Sequence, residues 1–208
     1  MKKRRVKDEP IILDEHFLTD LHQTITKTQY PYKVNMHQLT QRDQALTAFF
    51  ILTGVRNSET QTIKKKQTRN YQTHILIKNI QSSKNGNLRD EIILPKTGGL
   101  APFTQLFETW LNQIPDKENI LFPAANINGQ PNWNKPLSRQ RIHRIIKTTT
   151  GMFPHWFRGV CETIYGKQIF QNDIYALQEF MGIKNLNSLT PYVNSQWRKY
   201  TQNIHNVT

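Results

Sequence analysis

Cysteine is nearly missing from these 208 residues. Cys161 stands alone, so no internal disulfide framework and no cysteine-cluster zinc site can form, and a reducing compartment is the expectation. Long apolar runs are missing too. Nothing approaches the roughly 18 consecutive apolar residues of a membrane span. Residues 1–8 lead into a polar stretch, not the apolar core of a secretory signal. The sequence therefore reads as cytoplasmic, with no membrane partner. Acid is scarce: 15 Asp+Glu face 28 Lys+Arg, a formal charge of +13 with an isoelectric point near 9.9. Such an excess excludes indifference to polyanions and makes nucleic acid the leading partner, ahead of an anionic membrane surface. What is plentiful is large apolar side chains. Ten Phe, seven Tyr and four Trp rule out a disordered basic tail and support a packed core. The length suits one domain, with at most a short arm.

Lys2, Lys3, Arg4, Arg5 and Lys7 give the first residues a basic run, read as a phosphate-gripping arm, an import tag or a solvated end. Residues 1–39 are polar and mixed and read as a weakly structured lead-in, with the main folded unit spanning 40–208. From Thr40 the pattern sharpens. Thr40 with Asp43 resembles a capping box, Leu46, Phe49, Phe50 and Thr53 recur at helical spacing, and Gly54 suits a C-terminal cap. Apolar runs in 72–81 and 88–95 flank Ser82-Ser83-Lys84-Asn85-Gly86, a hairpin signal that puts Lys84 at the tip. Phe103, Leu106, Phe107, Trp110, Leu111 and Ile114 form one helical stripe that Pro115 ends. Residues 119–136, with Pro123, Pro131, Pro136 and Gly129, read as a long loop tucked down by Phe122 and Trp133.

Ser138 then caps a helix with Ile142, Ile145 and Ile146 on one side and Arg139, Arg141, His143, Arg144 and Lys147 on the other. No acid interrupts that face, which suits it to tracking phosphates. Lys64, Lys65 and Lys66 form a second basic group. Helical signals return at 156–170 and 174–181, where Gly182 is a cap. The order predicts a mostly α fold with one small antiparallel hairpin or sheet.

Several segments resemble, in order, the motifs of the tyrosine recombinases, the phage-integrase family. These are Thr53-Gly54-Val55-Arg56-Asn57-Ser58-Glu59, the Lys84 hairpin running to Arg89 and Ile93-Leu94-Pro95, Phe153-Pro154-His155-Trp156-Phe157-Arg158, the Phe180-Met181-Gly182-Ile183-Lys184 turn, and Pro191-Tyr192-Val193. Each is weak alone; their joint order and spacing, with Tyr192 placed 34 positions after Arg158, carry the resemblance. It implies a recombinase catalytic-domain fold and DNA cleavage and rejoining through Tyr192, with no metal and no cofactor. Arg56 and Arg158 would hold phosphate oxygens bidentately, His155 would handle the tyrosine proton, and Lys84 would protonate the leaving oxygen. Glu59 would orient these cations or serve as an ordinary helix-start acid. Family members usually have His or Trp where Ile183 stands, so that Lys184 would substitute or the site would work with one donor fewer, and histidine where Gly159 stands.

The family also usually carries an N-terminal clamp domain of about 100 residues, whereas only 39 residues precede Thr40. A partner or host factor supplying the clamp is one expectation. Double-stranded DNA as substrate, in the nucleoid or a mobile element, and a homotetramer on DNA are others. The tail after Tyr192, with Trp197 and Tyr200, would dock on a neighbour or on its own domain. The alternative reading is a catalytically weakened relative that binds DNA as an accessory protein; a type IB topoisomerase uses the same chemistry and shares these motifs.

Overall fold

The computed structural model describes residues 14, 16–28, 37–81, 88–183 and 189. Its centre is α2 (His37–Thr53), almost entirely buried, with Leu46, Phe49, Phe50 and Leu52 fully enclosed. The apolar residues go nearly all round this helix, as expected of one wrapped on every side. Against it pack α4 (Ala101–Leu111) and α6 (Pro154–Ile164), and more lightly α1 (Phe17–Lys27) and α5 (Arg139–Thr150). A one-turn helix, α3 (Asn57–Thr60), follows α2, and α7 (Ile174–Met181) comes last among the described elements. The fold is mostly α with small antiparallel sheets: β1 (Thr68–Asn70), β2 (His74–Gln81) and β3 (Leu88–Pro95) in the order 1-2-3, and a separate pair β4 (Pro123–Ala125) and β5 (Pro131–Pro136).

The stripe from Phe103 to Ile114 forms the buried face of α4 and the turn after it, where Trp110 Nε1 donates to the Leu121 carbonyl at 2.8 Å and stacks on Trp133. Ser138 caps α5 as the sequence indicates, its Oγ accepting from the Arg141 amide at 3.2 Å, and Gly151 ends the helix at φ 74°. Gly54 and Gly182, at φ 56° and 60°, end α2 and α7 in the left-handed conformation that glycine adopts without strain.

Three expectations change. The lead-in before residue 40 contains α1, whose Leu21 and Ile25 are buried one turn apart. Phe17 packs on Trp156, and Thr28 Oγ1 donates to the Thr149 carbonyl at 3.2 Å. Phe17, Leu18, Leu21 and Ile25 recur at helical spacing within this polar stretch, and the face they form is the one that packs on the fold. Secondly, α2 begins at His37, not Thr40, and Asp43 does not cap it. It is buried beside Arg42, whose Nε and Nη2 donate to Asp43 Oδ1 at 2.8 and 2.6 Å while Nη1 reaches the Pro123 carbonyl. Thirdly, the loop expected over 119–136 contains β4 and β5. Its prolines sit at strand ends, where a missing N–H costs a ladder little.

The predicted hairpin forms from β2 and β3 and departs from simple alternation. Its ladder runs from His74↔Pro95 to Gln81↔Leu88, so Lys84 belongs to the six-residue connection 82–87, outside the described residues. Strict alternation would bury Ile75, Ile77, Ile92 and Leu94, then expose Ile80 and Arg89. The first four are buried, but the phase switches at Asn79, at φ 55°, a left-handed position that asparagine tolerates. Gln67 Nε2 steadies the kink by donating to the carbonyls of Lys78 and Asn79 at 3.0 and 2.8 Å. Beyond it Ile80 and its partner Arg89 both turn inward, while Leu88 is left exposed.

Candidate active site and nucleic-acid interface

The end of α2 delivers the first cation. Gly54 turns the chain sharply, and Arg56 follows in extended conformation as the N-cap of α3. Glu59, three residues on and fully buried, accepts from the Arg56 backbone N–H at 2.8 Å with Oε2 and from Arg56 Nη1 at 2.8 Å with Oε1. One carboxylate thus caps the helix and fixes the guanidinium above it.

Proline at the first position of α6 starts the second segment, as its fixed φ favours. His155 is exposed at this helix start, whereas Arg158, one turn on, points inward and is only 5 % exposed. Arg158 Nη1 donates to the Gly54 carbonyl at 2.8 Å, Nη2 to the Met181 carbonyl at 2.9 Å, and Nε faces Glu162 at 3.2 Å. Burial lowers its pKa and the Glu162 carboxylate opposes that shift, so the group stays a cation. These contacts use three of its five N–H groups.

Arg56, His155 and Arg158, with Val55, Asn57, Ser58, Pro154 and Arg139, line one cavity of about 300 Å³. The sequence placed the first three together by resemblance; the fold brings them there from segments about 100 residues apart. Arg139 joins them because α5 starts beside α3: Asn57 Nδ2 donates to the Arg139 carbonyl at 3.1 Å, and Gln61 Nε2 to the Leu137 carbonyl at 2.7 Å. Asn57 and Ser58 are lining residues that the sequence reading assigned no role. Lys84, Lys184 and Tyr192 lie outside the described residues.

The basic face of α5 continues outward from this cavity. Arg139, His143, Arg144 and Lys147 border a shallow groove, whereas Arg141 is half-buried and does not line it. His143 stacks on the exposed Phe153 ring, over which Lys147 also lies at 5.3 Å, so this face runs on to the residue before Pro154. The other basic group is elsewhere. Lys65 Nζ is held by the Ile114 carbonyl at 2.6 Å and Asp116 at 3.1 Å, and Lys65 and Lys66 border a separate hollow with Arg69, Asn70 and Lys117. Lys64 bridges to Ile120. The structure does not bring these three lysines to the Arg56 cavity.

A helical domain with a small hairpin, two arginines and a histidine converging on one cavity, and a basic helix leading from it defines the tyrosine-recombinase catalytic fold. The family model for the phage integrase family matches residues 19–198, and the chain belongs to that family. A search among curated proteins finds no match. Among solved structures, the fold is similar to XerH site-specific recombinase bound to difH substrate in a pre-cleavage complex. That likeness has a TM-score of 0.62 and 21 % identity over 91 % of this chain and 52 % of that one. It is also similar to XerA recombinase, with a TM-score of 0.60 and 17 % identity over 98 % and 66 % of the two chains. A lambda integrase(75–356) dimer bound to a COC′ core site gives a TM-score of 0.53 and 14 % identity over 88 % and 60 %. The chain thus spans about half the length of the XerH structure. The match from residue 19 includes most of α1, which agrees with its packing as part of the fold. Among the described residues, no helix is long and apolar enough to cross a membrane.

Proposed function

We propose that this chain is the catalytic part of a tyrosine recombinase that cuts and rejoins double-stranded DNA through a 3′-phosphotyrosyl intermediate. The observation that carries the reading is the convergence of Arg56, His155 and Arg158 on one cavity at the start of a basic helix, in a chain of the phage integrase family. Tyr192 Oη attacks the scissile phosphorus while His155 takes the tyrosine proton. The P–O5′ bond breaks, and Lys84 gives the leaving 5′-oxygen its proton. Arg56 and Arg158 offset the charge that builds on the nonbridging oxygens, a positioned electrostatic effect of the kind that contributes most to such transfers. Religation reverses the steps: a 5′-hydroxyl of another strand attacks the phosphotyrosyl bond and releases Tyr192. The energy of the broken bond is kept in the ester, so no ATP enters.

Arg139, Arg141, His143, Arg144 and Lys147 hold the flanking duplex; Lys64, Lys65 and Lys66 grip it at a second point, and Lys184 supplies a donor near Ile183. The XerH and lambda integrase structures each hold a DNA site, which supports DNA as the substrate here. A homotetramer on two duplexes, an accessory clamp or host factor, and action on nucleoid or mobile-element DNA in the cytoplasm complete the reading. The second reading, a DNA-binding accessory protein, draws support from Arg158, which the protein itself already engages at three points. The test incubates the protein in EDTA with a pool of nicked duplexes carrying randomised arms, from which the cut strand end can diffuse away. A covalent protein–DNA adduct supports the recombinase. Retention of duplexes on the protein without any adduct would establish the accessory reading instead.

A further inference from the structure

Arg89 is 2 % exposed, on a strand where sequence alternation would have placed it in solvent. Its Nη2 donates to the Thr53 carbonyl at 2.7 Å and its Nε to the Phe180 carbonyl. Arg158 donates to Gly54 and Met181. The two guanidiniums therefore take successive carbonyls at the ends of the same two helices, Thr53 and the following Gly54 at the end of α2, Phe180 and Met181 at the end of α7. Those carbonyls are the orphan acceptors at the negative poles of both helices, where a cation is most favourable. The glycines beside them make the fit close. A Cβ on Gly54 would stand 2.8 Å from Met181 Cε, and one on Gly182 would stand 2.8 Å from Arg89 Cγ.

The cost of this arrangement is visible. Burial pushes the Arg89 pKa down to about 10, Nη1 has no acceptor among the described residues, and the guanidinium lies 5.1 Å over the Phe180 ring. Packing alone would be served better by a long apolar side chain, because desolvating a guanidinium is expensive. Position explains the charge. Two residues past Gly54 comes Arg56, ten past Gly182 comes Tyr192, and five before Arg89 comes Lys84.

We propose that Arg89 is a positioning residue for strand cleavage: it fixes the ends of α2 and α7 to β3, the three points from which the chain runs on to Arg56, Tyr192 and Lys84. The proposal rests on the recombinase reading above.

The test compares Arg89→Met and Arg89→Lys with the parent, using a duplex that the parent cleaves. Arg89→Met is expected to keep its helical circular dichroism and to bind DNA within about twofold of the parent, while single-turnover cleavage slows about tenfold or more, as misplacement of reacting groups does. Arg89→Lys, which can serve one carbonyl at a time, recovers part of the rate. A readout without DNA accompanies this. In Arg89→Met, amide hydrogen exchange at Gly54–Arg56 and Gly182–Ile183 accelerates about tenfold while Phe103–Leu111 in α4 is unchanged, the signature of local opening. Parental cleavage by Arg89→Met overturns the proposal. So does a fall in rate and DNA binding together, a uniform rise in exchange, or unfolding of both variants, each of which would make Arg89 a core residue only. Absence of cleavage by the parent would instead sink the recombinase reading, with the exchange experiment still deciding whether Arg89 anchors the two helix ends.

Discussion

Glu59→Ala is the most informative single substitution near the cavity. The fully buried carboxylate accepts two hydrogen bonds of 2.8 Å, one from the Arg56 amide and one from its guanidinium. Losing the first uncaps α3, which costs about 1–2 kcal/mol. The second is charge-assisted, but Arg56 is 28 % exposed and water takes over part of its solvation, so about 1 kcal/mol is a fair share. The sum, about 2–3 kcal/mol, corresponds to a fall in Tm of roughly 5–10 °C for a domain of this size. Glu59→Gln keeps one oxygen acceptor and should lose about half as much. Cleavage should slow about tenfold in Glu59→Ala, because Arg56 is freed to leave the phosphate. The decisive assay is a double-mutant cycle in single-turnover cleavage. On an Arg56→Ala background, adding Glu59→Ala should cost little further rate, since the residue through which Glu59 acts is already gone. Full additivity of the two losses, or a Glu59→Ala protein as stable and active as the parent, would refute the assignment.

Other outcomes are as specific. Gly54→Ala places a Cβ 2.8 Å from Met181 Cε and 3.0 Å from Cys161 Sγ at a positive φ; a loss of about 2–4 kcal/mol in urea denaturation is expected. Burial pushes the Cys161 thiol up to about 12 from a reference of 9.0, so its contribution to stability is complete below pH 9 and lost as the pH climbs towards 12. The parent should lose up to about 1.4 kcal/mol more per pH unit across that window than Cys161→Ala does, read from urea midpoints. Equal slopes would show that the thiol does not titrate this way. Neutralising Arg139, Arg144 or Lys147 in turn should lower the slope of log Kd against log salt by about 1 each for duplex DNA; unchanged slopes would remove α5 from the interface.

How much of this was legible in the sequence differs from element to element, for physical reasons. α4 and α5 could be read closely, because an apolar stripe running up to Pro115 marks the first, and a serine cap with isoleucines on one face marks the second. The Arg56–His155–Arg158 grouping was legible through its motifs, and the cavity places all three together. Arg89 was not legible. Its burial depends on Asn79 taking a left-handed φ and reversing the alternation of both strands, a choice that no periodicity encodes. Nor was Asp43, where a capping pattern hides a buried pair with Arg42 that only the approach of Pro123 explains. The basic groups show the same limit. Composition counts Lys65 and Arg139 alike, yet the fold ties Lys65 to Ile114 and Asp116 and brings Arg139 to the cavity.

The central claim is that Tyr192 carries the cut strand. Trypsin releases residues 185–198 as one peptide in which Tyr192 is the only tyrosine. Mass spectrometry of the adduct formed in EDTA, after nuclease trimming, should find the nucleotide on that peptide at Tyr192, and Tyr192→Phe should form no adduct. A nucleotide carried on Tyr175, Tyr200 or a serine, or an undiminished adduct from Tyr192→Phe, would contradict the account.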